Sequence, residues 1–256
     1  MCRTCGCSDQ NHTHDHEHGA DHPHDHTLAP GRRTVPLEQR VLERNDRLAA
    51  DTRHRLRARG VVAVNLMSAP GAGKTSLLER TIRDIGDEVA IAVIEGDQAT
   101  ENDAERIRAA GARAVQINTG AGCHLDAAMV TRALAELDPD AGSIVIIENV
   151  GNLVCPALFD LGECARVVVV AVTDGDDKPE KYPHMFRAAD VLLVNKIDLL
   201  PYVRFDVDRC ISRARELNPR LRPIAVSATG GLGLATWYGW LRERVAEAHE
   251  VVATTP

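Results

Sequence analysis

A glycine-rich segment that begins at Ser68, SAPGAGKT, has residue types and spacing suited to holding phosphate groups. It follows an apolar stretch and precedes a segment with helical character, as in the phosphate-binding pattern G-x-x-x-x-G-K-[ST]. Ser68 stands where the pattern has its first glycine. Gly71 and Gly73 let backbone N–H groups turn towards phosphates, Lys74 would reach the β- and γ-phosphates, and the Thr75 hydroxyl would hold Mg²⁺. The predicted nucleotide-binding residues of this loop are Gly71, Ala72, Gly73, Lys74, Thr75 and Ser76.

A second segment indicates which base the nucleotide carries. Asn195-Lys196-Ile197-Asp198 follows the apolar run Val191–Val194. The Asp198 carboxylate can accept hydrogen bonds from the ring N1–H and the exocyclic amine of guanine, whereas adenine lacks this pair of donors and would leave a buried carboxylate unpaired. The Lys196 stem can lie over the base. Ser227-Ala228-Thr229 is similar to the short loop that offers a backbone N–H to the guanine oxygen. The predicted base-binding residues are Asn195, Lys196, Asp198, Ser227 and Ala228.

Acidic residues at the ends of two apolar runs are candidates for Mg²⁺ binding and for hydrolysis. Glu148 follows Ile144–Ile147, and Asp97 closes the segment Glu95-Gly96-Asp97. We expect Glu148 on the Mg²⁺ side together with Thr75, and Asp97 either on the ion or orienting the attacking water. Either acid could instead cap a helix, and no arginine can be assigned a catalytic role from sequence. The candidate catalytic residues are therefore Lys74, Asp97 and Glu148.

The first 30 residues carry a dense set of potential metal ligands. Cys2, Cys5 and Cys7 place three thiols within six positions, which suits square-planar Ni(II) together with a backbone or α-amino nitrogen. Tetrahedral zinc and three idle thiols are the alternatives. The histidines offer many weak, exchangeable imidazole sites for Ni, Zn or Cu, or act as a solvated spacer. Because residues 1–30 contain almost nothing apolar, we expect them to be disordered without metal. The seven histidines are His12, His14, His16, His18, His22, His24 and His26.

A second set of candidate metal ligands lies farther along the chain. Cys123-His124 follows a Gly-Ala-Gly segment and is expected to start a helix, where both side chains can turn to one ion. Cys155 lies shortly after Glu148, so a metal bound there could respond to the nucleotide. From spacing alone, a buried cysteine and a surface histidine are equally compatible with this pattern. Cys164 and Cys210 are expected to be structural.

Short apolar runs alternate with helical segments from residue 61 onwards. Such runs are typical of strands that are buried on both faces, so we predict an α/β fold: a mainly parallel twisted sheet with helices on both sides, as in P-loop NTPases. The expected organisation is a Cys/His-rich tail (1–30), an amphipathic helix (31–60) and a GTP-binding domain (61–250). The expected strands are Val61–Met67, Val89–Ile94, Ala114–Ile117, Ile144–Ile147, Val167–Val172, Val191–Val194 and Pro223–Val226.

Composition excludes several classes of protein. The 256 residues carry a formal net charge of -7, which argues against nucleic acid as the main partner. No run of 18 apolar residues and no apolar signal segment are present, so we expect neither a membrane span nor export, and the default location is the cytoplasm. In the cytoplasm, the seven cysteines are better explained as metal ligands or buried thiols than as disulfides.

Together the motifs resemble the HypB family of GTPases, which help to deliver nickel to [NiFe]-hydrogenase. The resemblance rests on SAPGAGKT, EGDQATENDAERI, GAGCHLDA, ENVGNLVCP, DGDDKPEKYP and NKIDLLP, and covers most of the chain from residue 36 plus the N-terminal cysteine motif. It implies a high-affinity nickel site at Cys2, Cys5 and Cys7 and a weaker Ni²⁺ or Zn²⁺ site at Cys123, His124 and Cys155, often at or near a subunit interface.

The resemblance further implies slow hydrolysis of GTP to GDP, a nucleotide-linked homodimer, a HypA-like metallochaperone as partner, and the hydrogenase large-subunit precursor as recipient. Two other functions stay open at the level of sequence. A non-enzymatic nickel store would use the histidine run, with the remaining domain as scaffold. A urease accessory protein resembling UreG would be expected to carry a Cys-Pro-His motif, which is absent here.

Overall fold

Seven parallel strands form a single sheet in the order β3-β2-β4-β1-β5-β6-β7, which confirms the predicted fold class. The computed structural model describes residues 37–97, 102–120 and 122–254. Each of the seven apolar runs forms a strand, with bounds shifted by a few residues. The strands are β1 Val62–Ser68, β2 Ile91–Asp97, β3 Arg113–Asn118, β4 Ile144–Glu148, β5 Ala165–Ala171, β6 Val191–Asn195 and β7 Arg222–Ala225.

The strands are apolar because helices cover both faces of the sheet. Every residue of the central strand β1 is buried, and so is every residue of β4. The helices are α1 Leu37–Ala58, α2 Lys74–Ile85, α3 Asn102–Ala109, α4 Ala127–Leu137, α5 Lys178–Lys181, α6 Pro183–Ala188, α7 Val207–Leu217 and α8 Leu234–Thr254. No helix within these described ranges is long and apolar enough to cross a membrane.

The two faces of the sheet are packed by different helices. On one face, Leu77 of α2 and Trp237 of α8 join the even-numbered side chains of β1 in one apolar cluster. On the other face, Leu56 of α1 and Val130 of α4 pack with Ile94 of β2, while α6 and α7 cover β5 and β6. This two-sided cover holds the strands rigidly and leaves their ends available for the loops.

The first helix runs in the same direction as α4 and ends at the beginning of β1. Near its middle, the Asn45 Oδ1 accepts a hydrogen bond from the Ala127 N–H at the start of α4 (2.9 Å). Just past its end, Arg59 pairs with Asp138 at the end of α4 (3.1 Å). Gly60, with φ of +66°, then turns the chain into β1. The first turn of α1 therefore lies towards the edge of the sheet at which the strands end.

Of two glycines in this fold, one has space for a side chain and the other does not, and this difference tests the packing. A Cβ at Gly239 in α8 would meet nothing within 4 Å, so Gly239→Ala should raise the free energy of unfolding by ~0.5–1 kcal/mol through helix propensity. At Gly162, φ is +86° and a Cβ would lie 2.8 Å from the Ala49 carbonyl oxygen. Gly162→Ala should therefore lower the free energy of unfolding by at least ~1 kcal/mol. Denaturant unfolding measures the change in the free energy of unfolding for both variants. A change in the same direction for both would contradict the described packing of α1 against residue 162.

Candidate functional site

The phosphate loop connects β1 to α2 and has the backbone shape its glycines allow. Gly71 and Gly73 have φ of +75° and +91°. A Cβ at Gly73 would lie 2.8 Å from the Asn195 Nδ2, so this position also needs glycine for space. Ser68, which stands where the pattern has glycine, has a role of its own: its buried hydroxyl accepts a hydrogen bond from the Lys74 Nζ at 3.0 Å. Ser68 thus holds the Lys74 ammonium within the loop.

The candidate Mg²⁺ residues meet at the start of α2. The Thr75 hydroxyl donates to the Glu148 Oε1 at 2.9 Å, and the Lys74 Nζ lies 3.9 Å from the same oxygen. Glu148 is 3% exposed, and its Oε2 receives no hydrogen bond from a described protein group. A hydroxyl and a buried carboxylate with an available oxygen are hard oxygen donors, and they fit a magnesium ion.

Glu95 is a second buried carboxyl group at this point, and sequence reasoning did not select it. Parallel pairing of β2 with β4 puts Glu95 beside Glu148 in the register. Burial, followed by the negative charge of Glu148, raises the pKa of Glu95 to about 11. Burial also raises the pKa of Glu148, although the Lys74 ammonium opposes this rise. The sheet order was needed to identify this pair, because residues 95 and 148 are far apart in sequence.

A cavity of about 540 Å³ lies over the phosphate loop and these acids. Asp97, at the end of β2, lines it, and so does Gly151 from the loop after β4. Cations also reach the cavity, since Lys196 and Arg106 contribute to its wall beside Lys74. Arg106 is held by Glu79 (3.0 Å) and Asp103 (2.8 Å). The cavity therefore presents positive charge and hard oxygen donors together, as a Mg²⁺-phosphate group requires.

Asn195 joins the phosphate loop to the candidate base site. Its buried side chain donates from Nδ2 to the Ala72 carbonyl oxygen (2.9 Å) and accepts at Oδ1 from the Ala228 N–H (3.3 Å). Lys196 adopts φ of +61° and donates from Nζ to the Gly71 carbonyl oxygen at 2.7 Å. The two predicted nucleotide segments are thus hydrogen-bonded to each other, and Asn195 holds their spacing.

Asp198 presents a buried carboxylate oxygen that fits a guanine base. Its Oδ1 is buried and has no hydrogen-bond partner within the described chain, which is the condition for accepting donors from a ligand. The Ser227 and Ala228 N–H groups are already used, since Ser227 donates to the Leu232 carbonyl oxygen (2.9 Å) and Ala228 to Asn195. In this structure they shape the loop around the base site, and their N–H groups are not free for the guanine oxygen.

Three side chains from two loops form a compact cluster beyond β3 and β4. The Cys123 Sγ lies 3.0 Å from the Cys155 Sγ and 3.6 Å from the His124 Nδ1. The ligand atoms of all three lie within 4.8 Å of one another, and neither thiol is part of a disulfide. Two sulfurs and one imidazole nitrogen suit nickel or zinc and leave at least one coordination position open.

The surroundings of His124 prepare it as a ligand. Its ring stacks on Phe159, with centroids 3.9 Å apart and planes inclined by 17°. Burial lowers the pKa of His124, so its neutral form, the form that binds metal, is favoured. Val154 and Leu158 flank Cys155 and are both 48% exposed, so the cluster opens on an apolar surface.

One expectation about the cysteines was wrong. Cys123 and His124 do not start a helix, because α4 begins at Ala127, where the Asp126 carboxylate accepts a hydrogen bond from the Met129 N–H (2.7 Å). The two ligands lie in the preceding loop, which gives them the freedom to face Cys155. Cys164 is exposed and donates from Sγ to the Ala63 carbonyl oxygen (3.2 Å), and Cys210 is buried in α7. Cys2, Cys5, Cys7 and the histidine run lie outside the described residues.

Comparisons with known proteins agree with this arrangement. Residues 62–225 match the family model "CobW/HypB/UreG, nucleotide-binding domain". The chain is 55% identical over 214 residues to hydrogenase maturation factor HypB of Rhizobium leguminosarum, covering 84% of this chain and 72% of that protein. Among solved structures, it is similar to HypB of Archaeoglobus fulgidus, with TM-score 0.74, 46% identity and coverage of 80% and 100%. Helicobacter pylori HypB in complex with nickel gives TM-score 0.74, 37% identity and coverage of 80% and 96%.

The buried Glu95–Glu148 pair predicts how stability depends on pH. Because the folded protein holds a proton on Glu95 that the unfolded chain releases above about pH 4.5, wild-type stability should fall as pH rises from there towards 11. Glu95→Gln lacks this loss, so it should raise the free energy of unfolding of the ligand-free protein at pH 8 by roughly 1–3 kcal/mol. Denaturant unfolding at pH 5 and pH 8 measures the gap between variant and wild type.

The exposed Glu105→Gln is the matched control and should show no such gap. A gap that is equal at pH 5 and pH 8 would mean that Glu95 does not carry the buried proton.

Proposed function

The chain belongs to the CobW/HypB/UreG family and, within it, to the HypB hydrogenase maturation factors, and from this premise we propose that it is a GTPase that carries nickel as cargo. In this proposal, GTP binding and hydrolysis control delivery of the ion to the [NiFe]-hydrogenase large-subunit precursor. One observation carries it: the segment from Glu148 to Cys155 begins at the candidate Mg²⁺ site and ends at the Cys/His cluster. A change at one end is therefore transmitted to the other over only seven residues.

The nucleotide half of the proposal assigns a task to each residue of the cavity. Gly71, Ala72, Gly73 and Ser76 supply backbone contacts to the phosphates, and Lys74 leaves Ser68 to reach the β- and γ-phosphates. Thr75 and Glu148 hold Mg²⁺, with Glu95 beside them. The ion, when bound, neutralises charge that develops between the β- and γ-phosphates. Asp97 orients the attacking water or joins the ion, since it lines the same cavity.

The base half of the proposal makes the nucleotide a guanine nucleotide. Asp198 accepts two hydrogen bonds from the base, which would satisfy its buried oxygen. Asn195 keeps Asp198 in register with the phosphate loop through its bond to the Ala72 carbonyl oxygen. Lys196, anchored on Gly71, lays its stem over the base. Ser227 and Ala228 complete the wall.

The metal half of the proposal makes Cys123, His124 and Cys155 a cargo site. Nickel is favoured as the ion because the similar protein of Helicobacter pylori was solved in complex with nickel, although zinc also fits two sulfurs and one imidazole. We place a high-affinity nickel site at Cys2, Cys5 and Cys7 and a nickel store in the histidine run, both outside the described residues.

The setting of this activity is part of the proposal. A HypA-like metallochaperone and the hydrogenase precursor are the partners, and the protein works in the cytoplasm as a homodimer. The exposed Val154 and Leu158 beside Cys155 support an interface there, because apolar side chains around an incompletely ligated metal favour a second protein surface. Neither nucleic acid nor a membrane is a partner, in keeping with the net charge of -7.

Asp198→Asn tests the assignment of guanine. An amide cannot accept both guanine hydrogen bonds, so the affinity for GDP should fall by about 100-fold, since bonds to a charged acceptor contribute roughly 1.5–3 kcal/mol each. The amide can donate to the 2-oxo group of xanthine and accept from its N1–H, so xanthosine diphosphate should bind the variant better than GDP does. Calorimetric titration with both nucleotides measures this. Equal loss for the two nucleotides would indicate damage to the fold and not a change in base recognition.

Changing Cys123 and Cys155 together to serine tests the metal half. Removing both soft ligands should abolish nickel binding at this cluster and lower hydrogenase maturation in cells at limiting nickel, while GDP affinity stays within about twofold. Cys164→Ser is the matched control, because Cys164 is exposed and lies outside the cluster. Undiminished maturation in the double variant would exclude this cluster as the route of delivery.

A further inference from the structure

The segment after β4 contacts the phosphate loop shortly before it reaches the metal ligands. Gly151 lies against Pro70, and a Cβ at residue 151 would be 3.1 Å from the Pro70 Cα. Because residue 151 packs against the phosphate loop, a movement of either backbone segment displaces the other. The next residue along, Asn152, contacts the loop that carries Cys123.

Asn152 uses the two ends of its amide for different tasks. Its Oδ1 accepts a hydrogen bond from the Val154 N–H at 2.8 Å and so holds the turn that leads into Cys155. Its Nδ2 donates to the Cys123 carbonyl oxygen at 3.2 Å. One side chain therefore fixes the loop after β4 to the loop after β3, and the two thiols that these loops carry lie 3.0 Å apart.

We propose that Asn152 is the positioning residue that couples the nucleotide state to the geometry, and hence the affinity, of the Cys123–His124–Cys155 metal cluster. The inference rests on the proposed function, since it takes nickel as the ion and GTP as the nucleotide. A shift of the backbone at Gly151, next to the phosphate loop, moves Asn152 with it. Through Nδ2 the shift reaches Cys123 as well as Cys155, so both sulfurs respond together.

A second connection to the Cys123 loop exists and does not involve Asn152. The Thr119 hydroxyl lies 3.3 Å from the Asp97 carbonyl oxygen and 3.0 Å from the Gly122 carbonyl oxygen. This connection ties the Cys123 loop to the end of β2 and not to the segment after β4. It holds the loop in place when the Asn152 bond is removed, so loss of that bond should change the coupling and spare the fold.

The test compares two substitutions at residue 152 that remove different parts of the amide. Asn152→Asp keeps an oxygen for the Val154 N–H and loses the donor to the Cys123 carbonyl oxygen. Asn152→Ala loses both. The matched control is Asn118→Asp, the same chemical change at the last residue of β3, where the exposed side chain accepts a hydrogen bond from the Gly120 N–H. All variants are made in the full chain, with Cys2, Cys5 and Cys7 changed to serine in every protein so that the proposed tail site does not mask the cluster. The same titration of a Cys123→Ser, Cys155→Ser double variant gives the nickel bound by the histidine run, which is subtracted.

The measurement is the ratio of Ni²⁺ dissociation constants with Mg²⁺-GDP and with a Mg²⁺-bound non-hydrolysable GTP analogue, in reducing buffer. We expect wild type and Asn118→Asp to share one ratio that differs from unity. Asn152→Asp and Asn152→Ala should each bring the ratio at least threefold closer to unity, with the affinities for both nucleotides in metal-free protein unchanged.

The outcomes separate the inference from the function on which it rests. A wild-type ratio of one would mean that the nucleotide shifts nothing at the metal, and both the proposed coupling and this inference would fail. A wild-type ratio that differs from one and persists in Asn152→Asp would overturn the inference alone. The inference also fails if the ratio moves towards unity in Asn152→Ala but not in Asn152→Asp. The turn at Val154, and not the bond to Cys123, would then carry the effect.

Discussion

Every strand pair in the described sheet is parallel, so all strands end at one edge and are followed there by loops. The phosphate loop after β1, the acids at the ends of β2 and β4, and the base-site residues after β6 and β7 meet because of this constraint alone. The metal ligands after β3 and β4 meet at the same edge. Neighbouring positions in the order β3-β2-β4-β1 explain why the segment from Glu148 to Cys155 passes beside the phosphate loop, where Gly151 lies against Pro70.

The same edge concentrates buried groups that a ligand can satisfy. Asp198 has a buried carboxylate oxygen without a hydrogen bond from a described group, and Glu95 and Glu148 are two carboxyl groups buried side by side. Such groups destabilise the folded chain when it is empty. Ser68 reduces the same problem for Lys74 by accepting from its ammonium. Ligand-free stability is therefore lowered where binding occurs, and ligands that bind the folded state restore it.

Sequence patterns predicted the strands, the phosphate loop and the guanine segment because each depends on local residue types. Apolar runs identify strands that are covered on both faces, and the glycines of the phosphate loop, Gly71 and Gly73, do adopt positive φ. Glu95 could not be selected, since its significance comes from lying beside Glu148 in a neighbouring strand. Asn152 and Phe159 could not be selected from sequence either. Asn152 contacts Cys123 and Phe159 contacts His124, and each pair is separated by about thirty positions in the chain. The helix expected at Cys123 was wrong because Asp126 caps α4 farther on.

The direction of α1 determines where the first part of the chain joins the fold. This helix of 22 residues is about 33 Å long, against about 23 Å for a seven-residue strand, and it ends where β1 begins. Residue 37 therefore lies at the edge that carries Cys123, His124 and Cys155, beyond the start of α4. The preceding residues, which lie outside the described ranges, are therefore joined to the fold at this edge. Any contact between that segment and the Cys123–His124–Cys155 cluster of the same chain would be intramolecular, so its frequency would depend on the length of the connecting segment and not on protein concentration.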